Sequence, residues 1–424
     1  MGEGRAVVVR HVTRIEGHGN IVVDLEGDRI TRCDLEIVES PRFFEVLLRD
    51  RAYDEAPRIA CRICGICSVG HATASVLAVE AALGITPGPK LRQLRRLNMA
   101  GEWLQSHILH VCFLVAPDAF GAPSIVPLVG SHPDVVKRAL RLKRLANEIC
   151  RTVSGRHVMP ISYHAGWMGH WPERAELRAL EEQLVGAEED LDALVELFAG
   201  LTWPVVERRC EQLAALEEGG AYPMMGGRLH STSGTVTAPE AYGEVLHEYL
   251  VDHSAAKHVR GAEGTVRVGA LPRYALAHQR LHPRARDAAA RLRLRPDSTN
   301  PFDYVAAQVV ESVQAHQEAL DQVAALLADG APEEPVRPTR PQGGRGVGMV
   351  EVPRGTLVHD YTIGADGRIG RANCVIPTAQ NLASIEGDMR AFVPSLVSRP
   401  APEIAHALEM LVRAYDPCVS CSVH

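Results

Sequence analysis

Two Cys-x-x-Cys pairs stand at opposite ends of the sequence: Cys64-Gly65-Ile66-Cys67 and Cys418-Val419-Ser420-Cys421, the second followed closely by His424. More than three hundred residues separate them. A local zinc ribbon is excluded if the four thiolates meet, because its paired ligands normally lie within roughly 15–20 residues of each other. A chain that joins such distant thiolates has to build its whole fold around one soft-metal site.

The bulk properties narrow the class. At 424 residues the length prior is two to three domain-sized units or one interwoven core. Apolar residues make up 46%, enough for a large interior. A formal net charge of −7 argues against a nucleic-acid binder, which would carry a basic face. No run approaches the roughly 18 apolar residues of a membrane-spanning helix. No secretory leader pattern precedes the strand-like Ala6-Val7-Val8-Val9, so the expected location is the cytoplasm. Ten cysteines at irregular spacing fit reduced thiols and metal ligands better than a disulfide framework.

Along the chain, residues 6–39 alternate as strands, with a turn at Gly27-Asp28. A short helix is expected over 41–50. Another runs from Ser68 to Leu83 and stops at Gly84. Long helical patterns follow at 91–115, 134–155, 173–200, 239–252 and 302–328. The fourth opens on the start signal Thr237-Ala238-Pro239-Glu240. Residues 329–348 read as a Pro- and Gly-rich loop. Asp366-Gly367 marks a hairpin between Leu357–Ile363 and Ile369–Ile376, and a last helix covers 402–414. The expected fold class is mainly α, with a core of long helices and small β regions in the N- and C-terminal parts. As domains, residues 1–424 form a single interwoven unit: a β-rich part over 1–60, a helical body over 61–330, and a β-hairpin and metal-ligand segment over 331–424.

Structural zinc is the commoner fate of Cys-x-x-Cys pairs. Here the spacing and the terminal placement of one pair weigh against it. A thioredoxin-type redox pair would leave the other pair idle. Spacing alone does not choose between Cys61/Cys64 and Cys64/Cys67, since Cys61 precedes Cys64 at the same interval. The flanks carry more information. Arg62-Ile63-Cys64-Gly65-Ile66-Cys67-Ser68-Val69-Gly70-His71 and Asp416-Pro417-Cys418-Val419-Ser420-Cys421-Ser422-Val423-His424 resemble the large subunit of nickel–iron hydrogenases. So do Arg14-Ile15-Glu16-Gly17-His18 and Glu351-Val352-Pro353-Arg354-Gly355. The motifs occur in family order over essentially the full length, and the ending and length resemble the cytoplasmic, multi-subunit branch.

The resemblance implies a catalytic subunit that cleaves dihydrogen reversibly to protons and electrons. It implies nickel held by Cys64 and Cys418, and iron, carrying one CO and two cyanides, bridged to nickel by Cys67 and Cys421. It favours Cys64/Cys67 over Cys61, which becomes a buried thiol. Glu16 matches the proton-transfer glutamate, receiving a proton from Cys418; taken alone it reads as a solvated strand carboxylate. Glu45, nineteen residues before Cys64, matches a magnesium ligand, joined by His424 and the main-chain carbonyl of Cys374. Arg354 matches an arginine above the metals, with Asp118 and Asp416 as the acidic residues around it. Pro377 and Thr378 would serve a cyanide, and His71 would donate to a bridging sulfur.

No cluster-binding spacing is left among the other cysteines, and no Gly-rich dinucleotide fingerprint follows a strand. The resemblance therefore implies an iron–sulfur small subunit as partner, with further electron-transfer subunits beyond it. It also reads His424 as the mature end of a processed chain. Two other readings share this fold: a quinone-site subunit of respiratory complex I, which lacks the four thiolates, and a hydrogen sensor, which keeps them.

Overall fold

A computed structural model describes residues 4–329, 332–336 and 342–424. The N-terminal strands Gly4–Val9, Gly19–Glu26 and Arg29–Ile37 form an antiparallel meander, turning at Gly27 with φ +60°. Glu26 pairs with Arg29 across that turn. A short helix, Phe44–Leu48, follows.

Four long helices make the body: Ser68–Leu83, Pro89–Ile108, Pro133–Ser154 and Asp303–Ala328. Helix 68–83 is buried on almost every side because its residues are small. A strand packs directly onto it, Gly344–Val352, the first of an antiparallel sheet completed by Gly355–Ile363 and Ile369–Val375. Glycine is what permits the contact: a methyl on Gly348 would lie 1.9 Å from the Ala74 carbonyl oxygen, and one on Gly70 would lie 2.2 Å from Val352 Cγ1. The helix that opens immediately after Cys67 is thereby pressed against the strand that leads to Arg354.

Several expectations hold with altered edges. Residues 109–115 continue the helix 89–108, but as a π-helical turn. The pattern over 173–200 is two helices, Arg174–Gly186 and Glu188–Ala199. The loop expected over 329–348 already contains the start of strand 344–352, while its residues 330–331 and 337–341 lie outside the described set. The C-terminal helix spans Ala401–Ala414.

One expectation fails. Residues 239–252 are not a helix: the start signal at Pro239 yields only a 3-10 stretch, Pro239–Glu244, and His247–Val251 is a strand. Gly243 and the β-favouring Tyr249 and Val251 sit badly in a long helix, and pairing with Ser254–Gly261 decides the matter. That strand belongs to a six-stranded sheet inside the expected helical body. Its order is Val236–Thr237, Arg228–Ser231, Glu211–Leu216, Gly264–Arg267, Ser254–Gly261, His247–Val251. Among the described residues no helix is long and apolar enough to cross a membrane.

Buried charge ties the body to the C-terminal sheet. Arg273, fully buried, reaches both Glu311 oxygens at 2.6 and 2.7 Å and Glu351 at 2.9 Å, with its guanidinium 4.3 Å from the Trp103 ring centre. Burial opposes charge on Glu311, yet Arg273 and the His107 hydrogen bond hold its carboxyl down to about 2. The depressed value means the stabilisation is complete above 4.5 and is lost as pH falls from there towards 2. Glu311→Gln is expected to cost about 3–5 kcal/mol in urea unfolding at neutral pH, because Arg273 loses a partner inside the core. The gap from wild type should narrow below pH 4.5; a cost under about 1 kcal/mol at neutral pH would contradict this account.

Candidate metal centre

Cys64 is extended at the exit of the 3-10 turn Cys61–Ile63, and Cys67 caps helix 68–83. The Cys67 N–H donates to Cys64 Sγ at 3.2 Å. Glu102, wholly buried, accepts from the N–H groups of Val69 at 2.6 Å and Gly70 at 2.9 Å, fixing the first turn. Burial pushes its carboxyl well up, partly opposed by those two amides. At the other end, Asp416 takes a left-handed backbone (φ +52°) after helix 401–414, and Pro417 leads into an extended Cys418.

The fold brings Cys64, Cys67, Cys418 and Cys421 together, with all four sulfurs within 4.8 Å of one another and buried. The closest approaches are Cys64–Cys418 at 3.4 Å, Cys67–Cys421 at 3.6 Å and Cys418–Cys421 at 2.7 Å. Cys61 is left out: its thiol donates to the Arg58 carbonyl, and burial pushes it up to about 11. Within the group, Cys421 is driven far up by burial and its three neighbours, and Cys67 by its hydrogen bonds to Cys418 and Cys64. Four buried thiols at this spacing cannot all ionise without added positive charge. A soft cation meets that need, since the thiolate is the form that binds metal.

The loop carrying Glu16 lies against Cys418, to which it is bridged in parallel. Gly17, with φ +87°, allows the approach: a Cβ there would lie 2.6 Å from Val419 Cβ. Cys418 Sγ is 3.2 Å from Glu16 Oε2, which also accepts from the Ser420 N–H at 3.1 Å. Glu16 is therefore not a solvated strand carboxylate. Burial, then the neighbouring Cys418, raises it to about 7.

Arg354 is buried, donating to the Asp416 carbonyl at 2.7 Å and carboxylate at 2.8 Å. Its remaining Nη1 has no hydrogen-bond partner among the described residues. Asp118 hydrogen-bonds Arg14 and, bidentately at 2.8 and 3.0 Å, Arg413. The π-turn before it aims its carboxylate at those two arginines, so it anchors the loop before Glu16 and the helix before Cys418. His71 Nδ1 hydrogen-bonds His359 Nε2 at 3.0 Å, which leaves its Nε2 for another partner, and burial holds the ring down to about 3. Thr378 Oγ accepts from the Cys418 N–H at 2.9 Å, leaving its own proton to donate; Pro377 beside it opens helix Pro377–Phe392.

Glu45 and His424 meet as expected. Glu45 Oε1 lies 3.5 Å from His424 Nε2 and accepts from the Cys374 N–H at 2.9 Å. The His424 nitrogen is buried without a hydrogen-bond partner. Burial raises the Glu45 carboxyl, but His424 and the Cys374 amide outweigh it and hold it at about 2. An orphaned nitrogen facing a charged carboxylate suits a bound cation with bonds of about 2.0–2.1 Å.

Arg42 was invisible in the sequence, where it belongs to no recognisable pattern. Its guanidinium donates to the Ile63 carbonyl at 2.6 Å and to the Ser420 carbonyl, one residue before Cys64 and one before Cys421. Its own N–H donates to the Val423 carbonyl at 2.8 Å. It clasps the two cysteine loops together.

The family model for nickel-dependent hydrogenase matches residues 42–126 and 253–424, and a HoxL-like model matches residues 6–40. The chain is 31% identical to sulfhydrogenase 1 subunit alpha of Pyrococcus furiosus, over 99% of this chain and 97% of that protein. It is 33% identical to sulfhydrogenase 2 subunit alpha of the same organism, over 97% of each. A solved NAD+-reducing NiFe hydrogenase in its H2-reduced state superposes with a TM-score of 0.87 at 26% identity, covering 99% of both chains. The chain belongs to the nickel-dependent hydrogenase family, as the large, catalytic subunit of an oxidoreductase that acts on dihydrogen.

Removing the clasp should loosen the centre without touching a thiol. Arg42→Met is expected to lower nickel content at least twofold relative to wild type, measured by mass spectrometry on complex purified from the native host, since buried charged hydrogen bonds are worth about 1.5–3 kcal/mol each. Undiminished nickel in the variant would show that the loops hold themselves.

Proposed function

We propose that Cys64 and Cys418 hold nickel alone and that Cys67 and Cys421 bridge it to an iron carrying one CO and two cyanides. When bound, this pair supplies the site at which dihydrogen is split heterolytically. The observation that carries the reading is the buried four-sulfur group with Glu16 hydrogen-bonded to its member Cys418.

The chain's own part is to take the proton away. Cys418 Sγ accepts it first, and Glu16 Oε2, 3.2 Å distant, receives it next. A carboxyl raised to about 7 is matched to that task near neutral pH, where it both accepts and releases a proton readily. Ser420 keeps the carboxylate aimed through its N–H and hydroxyl. Arg354, held by Asp416, keeps a spare N–H donor and contributes fixed positive charge beside the thiols. Thr378 would offer its hydroxyl proton to a cyanide of the bound group, and Pro377 sets the start of its helix. His71, neutral and locked by His359, sits behind the sulfurs as a polar backing.

Glu45, His424 and the main-chain carbonyl of Cys374 would hold magnesium, with water completing its shell. Such an ion would pin the C-terminus, and with it Cys421, to the short helix 44–48. The electrons leave through an iron–sulfur small subunit, and further electron-transfer subunits pass them on. Support comes from the relatives' naming as alpha subunits and from the six remaining cysteines, which form no second metal-holding group among the described residues. All ten cysteines are free of disulfides, which fits a reducing cytoplasm. The domain reading follows too: one interwoven unit, because the centre draws on both ends of the chain.

Glu16→Gln tests the proton path. Hydrogen uptake should fall by about 10²–10⁴-fold while nickel and iron contents stay at wild-type levels. Activity within about threefold of wild type, with metals intact, would sink the assignment.

A further inference from the structure

Away from the four thiols lies a second group of potential ligands: His253, His258 and Glu386, whose ligand atoms all fall within 4.8 Å of one another. His253 sits at the turn between strands 247–251 and 254–261, and His258 lies within the second strand, past a bulge. Glu386 comes from helix 377–392. His253 Nε2 is 2.7 Å and His258 Nε2 3.7 Å from the same oxygen, Glu386 Oε1. The backbone N–H of Leu35, on the N-terminal sheet, donates to that oxygen at 3.1 Å and sets its direction.

His258 makes the group unusual. It is 1% exposed, and its Nε2 has no hydrogen-bond partner. Its Nδ1 faces the Ala256 carbonyl at 3.4 Å, an acceptor, so the ring proton belongs on Nδ1. Nε2 then presents a bare lone pair towards a carboxylate oxygen. Two acceptors facing each other inside a protein are a cost unless a proton or a metal cation lies between them. A tautomer fixed through Nδ1 and a main-chain carbonyl is also how metal-binding histidines are usually oriented.

The grouping and the unpartnered buried nitrogen point to a second metal site, in which His253, His258 and Glu386 bind one divalent first-row cation of the Zn2+ class. Two imidazoles and a carboxylate are a characteristic zinc donor set. Tetrahedral ligands at about 2.0–2.2 Å from zinc stand roughly 3.4 Å apart, and the observed 2.7 and 3.7 Å bracket that spacing. His253 is partly exposed, so the fourth position opens to solvent. The cation staples the edge hairpin of the six-stranded sheet to the helix that begins at Pro377-Thr378. Through Leu35 it also reaches the N-terminal sheet. The site is independent of the nickel assignment, because none of its ligands belongs to that centre.

Zinc chloride titrated calorimetrically into the purified, nickel-loaded hydrogenase complex should reveal one site per chain. His253→Ala and His258→Gln should each weaken it at least tenfold. His253→Ala keeps the test open if the buried His258 variant misfolds, since residue 253 lies on a turn. Zinc at a hundred times its Kd should raise the thermal midpoint of the wild type and not of His253→Ala. X-ray absorption at the zinc edge should show a nitrogen and oxygen shell with two imidazoles. Unchanged affinity in both variants, no zinc bound by the wild type, or a sulfur shell would each overturn the site.

Discussion

The centre is organised around four buried thiols that cannot all ionise without added positive charge. Sulfurs from segments more than three hundred residues apart lie within 4.8 Å of one another, shielded from water. Hydrogen bonds to Cys418 and Cys64 drive the Cys67 thiol up and burial drives up that of Cys421, and like charges at that spacing would oppose each other strongly. A cation reverses the sign of the problem. It converts the least compatible groups in the interior into the strongest link between the two ends of the chain. Metal binding at these thiols would therefore be coupled to folding of the C-terminal segment.

Around the thiols, charge is used for placement. Arg42 holds the two cysteine loops by their carbonyls, Asp416 holds Arg354, and Asp118 holds Arg14 and Arg413. Farther out, Arg273 joins helix 303–328 to the strand that ends before Arg354. Buried ion pairs of this kind add little net stability compared with apolar packing, but removing one partner is severe. They keep side chains in single positions, which proton transfer over about 3 Å requires. The glycines do the complementary work: Gly346 and Gly348 let backbone press on backbone, and Gly17 and Gly70 leave room for Val419 and Val352, where any added side chain would collide.

Much of the centre was legible because its residues cluster in short motifs. Cys64, Cys67, Cys418, Cys421, Glu16, Glu45, Arg354 and His424 all converge as their motifs implied. Thr378 does too, although its visible partner is the Cys418 N–H. Partners from distant segments were not legible: Asp118 hydrogen-bonds Arg14 and Arg413, and His71 hydrogen-bonds His359. Arg42 carried no signal because its function is to bind carbonyls, which leave no trace in residue identity. The six-stranded sheet escaped notice because its strands are short and their pairing is nonlocal, as the loss of the expected 239–252 helix illustrates.

The sequence by itself determined the chemistry: four soft ligands, a glutamate, an arginine and a terminal histidine, in motifs specific enough to name the family and its long-helix core. Those are properties of residue type and local spacing, written along the chain. Only the tertiary structure decided which donor faces which acceptor. It paired Glu16 with Cys418, gave Asp118 to two arginines, placed Arg42 between the cysteine loops, and left the His258 nitrogen bare against Glu386. Such pairings depend on the directions of side chains from distant segments, which packing alone sets.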